Sequence, residues 1–249
     1  MKRIVLAAAF VCALGLGVAF ALHSRRDDGS TASTVTVSTV SVPKKRAWRP
    51  IAHDILYVPR GAALRSRPGG RIVRRVAPRT EFGSPQTLLA TGPERGPWVA
   101  VRHTSLGDDK VAWLDRRRVR LRLATRVVRI EVDLSKRRLV VQGGEAERRV
   151  ISVAIGAPDT PTPSGESYIT DKLRGSDFGP YYGCCILALS GHQPNLPESW
   201  SGGDRLAIHG SPSPTWGQDV SNGCLHARER DLRWLMKHVP LGTPVLIHP

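Results

Sequence analysis

Short runs in the second half of the chain have the apolar and polar patterns of β-strands. Val127 to Asp133 alternates between apolar and polar residues, Arg138 to Val141 and Arg148 to Ile155 are a second and a third candidate strand, and Gly143-Gly144 separates the last two. Alternation of this kind is typical of a strand with one buried face, and a Gly-Gly pair suits a hairpin turn. These runs predict the first strands of a β-rich domain at residues 125–249.

An earlier segment, residues 51–121, contains further short runs of β-forming residues between turn residues. The runs are Ala63 to Ser66, Arg71 to Val76, Thr87 to Ala90, Trp98 to Val101 and Val111 to Leu114. Short strands at such spacing predict a small barrel. Their order is similar to that of bacterial SH3-like domains, which implies an accessory module of a cell-wall enzyme. We expect Trp98 and Trp113 to belong to the core of this barrel rather than to a ligand-binding surface.

Only one stretch has helical periodicity. Leu232, Leu235, Met236 and Val239 follow one another at spacings of three and four, which places them on one face of a helix. The preceding residues, Arg228 to Asp231, are expected to be exposed. The fold class predicted for the whole chain is therefore mainly β, with a short helix after Cys224.

The N-terminal segment is predicted to direct the chain out of the cytoplasm. Residues Ile4 to Leu22 are nineteen uncharged, mostly apolar residues, long enough to span a bilayer as a helix. Ala19-Phe20-Ala21 also fits a signal-peptidase site, so residues 1–26 are either a membrane anchor or a signal peptide. Residues 27–50, rich in Ser, Thr and Val, are predicted to be a linker. Both alternatives imply export to the cell envelope.

The chain is strongly basic. It has 37 Lys and Arg residues against 21 Asp and Glu, a net charge of +16. Such a charge can reflect attraction to nucleic acid, anionic lipid or an acidic wall polymer, or a general preference for arginine. The basic residues are spread through both predicted domains and do not alternate with aromatic residues as in a nucleic-acid surface. We therefore expect no nucleic-acid partner.

Four cysteines are present: Cys12, Cys184, Cys185 and Cys224. Vicinal cysteines rarely pair without strain, so Cys184 and Cys185 are expected to be buried thiols. Cys224 is then a free thiol. The sequence has no Cys-x-x-Cys or His-x-x-x-His spacing to supply metal ligands, so neither a metal nor another cofactor is expected.

Candidate chemistry is concentrated between Leu206 and His226. An apolar strand is predicted to end at His209, and a tight turn at Asn222-Gly223 presents Cys224. A nearby imidazole can hold a thiol as thiolate or take its proton during attack. We expect Cys224 to lie just before the predicted helix, whose N-terminal dipole would favour the thiolate.

The same stretch resembles the L,D-transpeptidase catalytic domain of the YkuD type. That family has a His-Gly or His-Ser pair, a loop, and then Ser/Thr-X-Gly-Cys with a hydrophobic and a polar residue. Here the sequence is His209-Gly210, followed by SNGCLH at residues 221–226. Asn222 and His226 depart from the commoner residues of the family. The opening RIEVDLSKRRLVVQGGE and the loop TPTPSG at 160–165 extend the resemblance over the C-terminal half.

The resemblance implies a β-sandwich or barrel that carries out acyl transfer. Cys224 would be the nucleophile, His209 its base, and the Gly210 carbonyl the group that orients the imidazole. The N–H groups of Gly223 and Cys224 would bind the oxyanion. The implied donor is a peptidoglycan tetrapeptide stem, the acceptor an amine of a neighbouring stem or water, and carbapenems are expected to acylate Cys224.

Five further residues are candidates for substrate contact. They are Ser221, Asn222 and His226 around the nucleophile, and Tyr182 and His192 from the preceding segment. For Tyr182 and His192 a place in the core is the alternative, because aromatic residues next to a buried strand often belong to the core.

Two other functions remain open at this point. A papain-like cysteine peptidase or amidase of wall peptides also joins a cysteine to a histidine, but in that class the cysteine comes first in the chain. A non-catalytic wall-binding protein is the other alternative. The retained His209, Gly223 and Cys224 argue against it, and the departures at Asn222 and His226 argue for it.

Overall fold

The computed structural model describes residues 55–108, 110–122, 128–143 and 148–249. The predicted signal peptide or anchor at 1–26, the predicted linker at 27–50 and Gly144 of the predicted turn lie outside these residues. Within the described part of the chain, no helix has the length and apolar character needed to cross a membrane. The described residues all belong to one compact unit, and its secondary structure is mainly β.

The first part of this unit is a seven-stranded antiparallel sheet. Its strands are β1 (Ile55–Tyr57), β2 (Ala62–Arg65), β3 (Ile72–Val76), β4 (Thr87–Arg95), β5 (Trp98–Arg102), β6 (Ala112–Asp115) and β7 (Arg120–Arg122). They pair in the order β3-β2-β6-β5-β4-β1-β7. All five runs predicted in this region are strands, whereas β1 and β7, of three residues each, were missed. The SH3-like assignment stays a prediction.

The core of this first sheet is aliphatic. Its members include Val99, Val101, Ala112 and Leu114, each at most 1% exposed. Successive side chains of a strand point to opposite faces, so these neighbours place Trp98 and Trp113 on the other faces of β5 and β6. Both tryptophans are half-buried, and the guanidinium groups of Arg65 and Arg95 lie 5.9 and 5.3 Å from the respective ring centres. The prediction that both belong to the core is wrong.

The described residues of the second part form ten strands, eight of which make one sheet, and one α-helix. The strands are β8 (Arg129–Asp133), β9 (Arg138–Gln142), β10 (Arg149–Ser152), β11 (Ile155–Gly156), β12 (Gly165–Arg174), β13 (Cys185–His192), β14 (Arg205–His209), β15 (Asp219–Ser221), β16 (Leu225–His226) and β17 (Pro244–His248). The sheet order is β10-β9-β8-β17-β12-β13-β14-β16, and β11 pairs separately with β15 in parallel. The core lies between these strands and the helix α1 (Glu229–His238).

The run predicted as one strand from Arg148 to Ile155 is two strands. The chain leaves the sheet after β10, and Ala154 exchanges two backbone hydrogen bonds with His226, of 2.9 and 3.1 Å. β11 then joins β15 rather than β9. This departure carries the chain from the sheet edge to the segment that precedes Cys224.

Helix α1 confirms the predicted periodicity, since Leu232, Leu235 and Val239 are fully buried. Asp231 was expected to be exposed, but it is buried and accepts a hydrogen bond of 2.7 Å from Arg149. The helix begins five residues after Cys224, with β16 between them. The expectation that Cys224 directly precedes the helix N-terminus is therefore wrong, because β16 lies between them.

Polar contacts join the two sheets near the start of β14. Asp171 on β12 is completely buried, and the Thr80 hydroxyl donates to its Oδ1. Among the described residues its Oδ2 has no hydrogen-bond partner. Arg205, the first residue of β14, forms an ion pair with Glu81. The first sheet thus contacts the strand that ends at His209.

Replacing Thr80 with Val should destabilise the protein by about 1–3 kcal/mol, because the Asp171 carboxylate would lose its hydroxyl donor while it remains buried. Urea unfolding of the variant and the wild type measures the difference. Thr80→Ser keeps the hydroxyl and is the matched control, expected within about 0.5 kcal/mol of the wild type. Equal stability of Thr80→Val and wild type would contradict this account of the contact.

Candidate active site

His209 is the last residue of β14 and is only 6% exposed. Its Nδ1 lies 2.6 Å from the carbonyl oxygen of Gly210. A carbonyl oxygen can only accept a hydrogen bond, so Nδ1 carries the proton of the neutral ring. The other nitrogen, Nε2, is then the basic atom. The predicted contact between Gly210 and the imidazole is present in the structure.

Two aromatic rings enclose the imidazole of His209. The ring centre of Tyr182 is 4.9 Å away and that of His226 is 4.6 Å away. The pKa of His209 is lowered to about 4, mainly by burial and also by the electrostatic effect of His226, while the hydrogen bond to Gly210 opposes the shift. At neutral pH, His209 is an uncharged base.

Gly210 is required by the close approach of two chain segments. Its N–H donates to the Tyr182 carbonyl at 2.9 Å. A Cβ at position 210 would lie 2.8 Å from the Cα of Gly183 and 3.0 Å from the same Tyr182 oxygen. Any side chain here would push Tyr182 away from His209. The glycine therefore lets the segment that carries Tyr182 pack against the imidazole.

Cys224 ends a tight turn that begins at Ser221. The Ser221 hydroxyl donates to the Cys224 carbonyl oxygen at 2.6 Å and accepts from the Gly223 N–H at 3.0 Å. Gly223 has a φ of +104°, a conformation that L side chains rarely adopt. The serine and the glycine together define the conformation in which the thiol is presented.

The predicted Gly223 oxyanion donor is not available in this conformation. Its N–H is donated to the Ser221 hydroxyl, so the expectation that both Gly223 and Cys224 supply free N–H groups is wrong for Gly223. The physical reason is the shape of the turn, in which a serine two residues earlier caps the amide of the glycine.

A neighbouring loop holds this turn from behind. Thr160 donates its hydroxyl to the Ser221 carbonyl, and Thr162 donates to the Gly223 carbonyl, both at 2.9 Å. The side-chain amide of Gln193 donates to the Asn222 carbonyl at 3.2 Å and to the Pro161 carbonyl at 3.0 Å. The carbonyl groups of Ser221, Asn222 and Gly223 are thus bound by the loop or by Gln193.

These supporting residues were not identified from the sequence. The loop at 160–165 contributed to the family resemblance, but the hydroxyl donors Thr160 and Thr162 received no role. Gln193 had no sequence signal, since it follows β13 and meets the turn only through the fold. A Cβ at Gly223 would lie 2.2 Å from the Gln193 amide nitrogen, so the glycine leaves the space that this amide needs.

The thiol of Cys224 is uncharged in this environment. Its Sγ lies 3.9 Å from the carbonyl oxygen of Arg205. Burial raises the pKa of Cys224 to about 11, and a hydrogen bond from the Ala207 backbone offsets this only in part. Of the two states left open by the sequence, the structure favours a neutral thiol that loses its proton during attack over a resting thiolate.

Cys224 and His209 open into one cavity of about 580 Å³. Of the predicted substrate contacts, Tyr182, Ser221, Asn222 and His226 also line it. Further residues that line it and were not predicted are Trp200, Asp204, Leu196 and Gln193. The structure therefore brings most of the predicted site together around one concave surface.

His192 does not line this cavity. Its Nδ1 lies 3.0 Å from the Asp108 carboxylate and its Nε2 lies 3.1 Å from the Thr104 hydroxyl, both in the first part of the unit. His192 is the last residue of β13 and contacts the other sheet. The prediction that it contacts substrate is therefore corrected, and His192 belongs to the contact between the sheets.

Cys184 and Cys185 form a disulfide with each other. The expectation of two buried thiols is wrong, and Cys184 is also only half-buried. The two residues lie where the chain changes from a glycine turn at Gly183, with a φ of +63°, to the start of β13. Cys224 is the free cysteine of the described residues, as predicted.

The described part of the chain contains no cluster of three or more His, Cys, Asp or Glu side chains arranged to hold a metal ion.

Alkylation of Cys224 by iodoacetamide should be slow at neutral pH and should increase about tenfold per pH unit from about pH 6 to about pH 9, because the reagent needs a thiolate and the thiol pKa is raised. Intact mass measured against time gives the rate. His209→Ala should leave the slope unchanged, and Cys224→Ala should lose this uptake and keep at most that of Cys12. A rate that levels off below about pH 8 would instead indicate a resting thiolate–imidazolium pair.

Replacing Ser221 with Ala should destabilise the protein by about 1–3 kcal/mol, because the Gly223 N–H and the Cys224 carbonyl each lose a hydrogen bond. The loosened turn should also expose the thiol and accelerate its alkylation. Urea unfolding and the alkylation assay measure both effects. Ser221→Thr keeps the hydroxyl and is the control. A destabilised Ala variant with unchanged alkylation would show that Ser221 supports the fold without enclosing the thiol.

Comparison with known proteins finds relatives of the second part of the chain. YkuD of Bacillus subtilis (strain 168) is 30% identical over 122 residues, which are 48% of this chain and 65% of that protein. YkuD of Bacillus licheniformis is 32% identical over 124 residues, 49% of this chain and 66% of that protein. The chain thus spans slightly less than two thirds of the length of these relatives.

Solved structures and a family description complete the comparison. L,D-transpeptidase 3 from Mycobacterium tuberculosis, in complex with a faropenem-derived adduct, is 19% identical with a TM-score of 0.40, covering 57% of this chain and 69% of that chain. Residues 127–247 match the YkuD family, described as the L,D-transpeptidase catalytic domain. Residues 127–247, just under half of this chain, are thus similar to the L,D-transpeptidase catalytic domains of the YkuD family.

Proposed function

We propose that the chain is a peptidoglycan L,D-transpeptidase that acts through a cysteine acyl-enzyme. The observation that supports this most is the pairing of Cys224 and His209 in one cavity, with Nδ1 of the imidazole held by the Gly210 carbonyl. That hydrogen bond fixes the ring and leaves Nε2 as the base. The match of residues 127–247 to the YkuD family model supports this chemistry.

The first half-reaction forms a thioester. His209 Nε2 takes the thiol proton as Sγ attacks the amide carbonyl of the donor, so the charged pair exists only during the reaction. The tetrahedral intermediate then collapses, and the leaving amine receives that proton. We assign the Cys224 N–H to the developing oxyanion, because the Gly223 N–H is already donated to Ser221.

The second half-reaction transfers the acyl group to an acceptor. An amine attacks the thioester carbonyl, the C–S bond breaks, and the thiol of Cys224 is restored. The proposed donor is a tetrapeptide stem cut between its L-centred diamino acid and the terminal D-alanine, and the proposed acceptor is the side-chain amine of another stem. Tyr182 and Trp200, which line the cavity, would pack against the stems.

This activity requires contact with the cell wall. We therefore propose that the chain is exported and acts in the cell envelope, through the segment at residues 1–26 as either a signal peptide or an anchor. The seven-stranded sheet at residues 55–122 is proposed to be a wall-associated module. The contacts of Asp171 and Arg205 with this sheet would hold it against the catalytic part.

A non-catalytic wall-binding protein is the second candidate. The observation that favours it is the raised pKa of the Cys224 thiol, since a buried neutral thiol can also be inert. Reactivity towards an acylating ligand of the cavity separates the two candidates, because binding alone leaves no covalent mass on the protein.

Incubation of the full chain with a carbapenem should add the mass of one inhibitor molecule, because Sγ would open the β-lactam ring and remain acylated. Intact-mass spectrometry measures this shift. Cys224→Ala should abolish it, His209→Ala should slow it by at least about a hundredfold, and Cys184→Ala should leave it unchanged. A folded wild type that stays unmodified, or an adduct that persists in Cys224→Ala, would contradict the proposed function.

A further inference from the structure

One acidic side chain, Asp204, is found among the described residues that line the cavity. It directly precedes β14, and it is exposed to solvent. No ion pair is found for it within the described part of the chain. Asp204 thus places a carboxylate in a cavity whose thiol and imidazole are neutral, against the strongly basic background of the chain.

The neighbouring Arg205 also lines the cavity, but the partners of its guanidinium group lie elsewhere. Its guanidinium donates to the Leu189 carbonyl at 2.6 and 3.0 Å and to the Thr170 hydroxyl at 2.8 Å, and it forms an ion pair with Glu81. These partners lie in β12, in β13 and in the first part of the unit. The arginine side chain is therefore bound on the side of the sheet contact, while Asp204 faces the cavity.

The backbone around Asp204 is held in place. The Gln193 N–H donates to the Asp204 carbonyl at 2.7 Å, and the indole N–H of Trp200 donates to the Gly203 carbonyl at 2.6 Å. Gly202 packs so closely against the Trp200 ring that a Cβ would lie 2.7 Å from its Cζ2 atom. The next residue, Arg205, places its carbonyl oxygen 3.9 Å from Cys224 Sγ. The backbone of Asp204 is thus held in place, and it directly precedes the residue whose carbonyl oxygen contacts Cys224.

We propose that Asp204 binds the ammonium group of the acceptor stem and so favours transfer to an amine over hydrolysis. This inference rests on the proposed function of the same cavity. A thioester in this site can be attacked by water or by an amine. A carboxylate raises the local concentration of a cationic acceptor and does nothing for water, so it changes the ratio of the two products.

The proton balance of the transfer is complete with groups already present. The bound ammonium gives one proton to neutral His209, and the resulting amine attacks the thioester carbonyl. The new C–N bond forms and the C–S bond breaks, with the sulfur leaving as thiolate. His209 returns its proton to the sulfur, and the second proton lost by the nitrogen goes to solvent. The product amide keeps the third, so no further reactant is needed.

Asp204 acts in this proposal only on the acceptor. Acylation by a carbapenem involves no ammonium acceptor, and it should therefore not depend on Asp204. Glu198 provides a matched control, since it is an exposed acid of the same connection between β13 and β14 and does not line the cavity. Neutralising either acid changes the net charge by the same amount, so the two variants separate a local effect from a global one.

The experiment supplies the full chain with a tetrapeptide donor and an acceptor stem that has a free side-chain amine, and measures the ratio of cross-linked to hydrolysed product. Asp204→Asn should lower this ratio about fivefold, as expected for an exposed ion pair. Asp204→Glu and Glu198→Gln should stay within about twofold of wild type. Added salt should lower the wild-type ratio but not that of Asp204→Asn.

The outcomes separate this inference from the proposed function. If the wild type is not acylated by carbapenem, the proposed function fails. If Asp204→Asn is acylated at the wild-type rate but keeps the wild-type product ratio and its salt dependence, the inference is overturned. If Asp204→Asn instead forms the acyl-enzyme from the stem donor more slowly with an unchanged ratio, the carboxylate binds the donor, which also overturns the inference. If Asp204→Asn does not fold, the wild-type ratio of cross-linked to hydrolysed product tests the inference. A ratio that does not fall with added salt then overturns it.

Discussion

The structure of the site depends on enclosing a thiol and an imidazole in protein without leaving their polar partners unsatisfied. Burial raises the pKa of Cys224 and lowers that of His209, so both groups rest uncharged. The cost of this burial is limited because Nδ1 of His209 is bound by the Gly210 carbonyl. The same hydrogen bond decides which ring nitrogen can act as base. Tautomer, ring orientation and reactivity thus follow from one contact.

The remaining features of the site maintain that arrangement. Close approach at Gly210 brings the segment of Tyr182 onto the imidazole, and the φ of Gly223 allows the turn that presents Cys224. Hydroxyl donors from the loop at 160–162 and the amide of Gln193 bind the backbone of that turn. A site supported in this way is organised before substrate arrives, which is how fixed dipoles contribute most to catalysis.

Local patterns in the sequence predicted what depends on local order. Alternating and β-forming runs predicted part of the strands of both sheets, and the spacing of Leu232, Leu235 and Val239 predicted α1. The motif predicted the pairing of His209 with Cys224, and both residues line one cavity in the structure. Contacts between distant segments could not be predicted in this way. Gln193 at the turn, His192 at the sheet contact, the buried Asp231 and the outward faces of Trp98 and Trp113 all depend on which strands become neighbours.

The central claim is that His209 is a neutral base with its proton on Nδ1. The measurement that tests it most directly is the ¹⁵N NMR spectrum of the histidine side chains, with His209 assigned by comparison with His209→Ala. Across about pH 5 to about pH 8 the ring should show one protonated and one unprotonated nitrogen, without a titration step, because its pKa is about 4. Two protonated nitrogens near neutral pH, together with a thiolate at Cys224, would contradict the account.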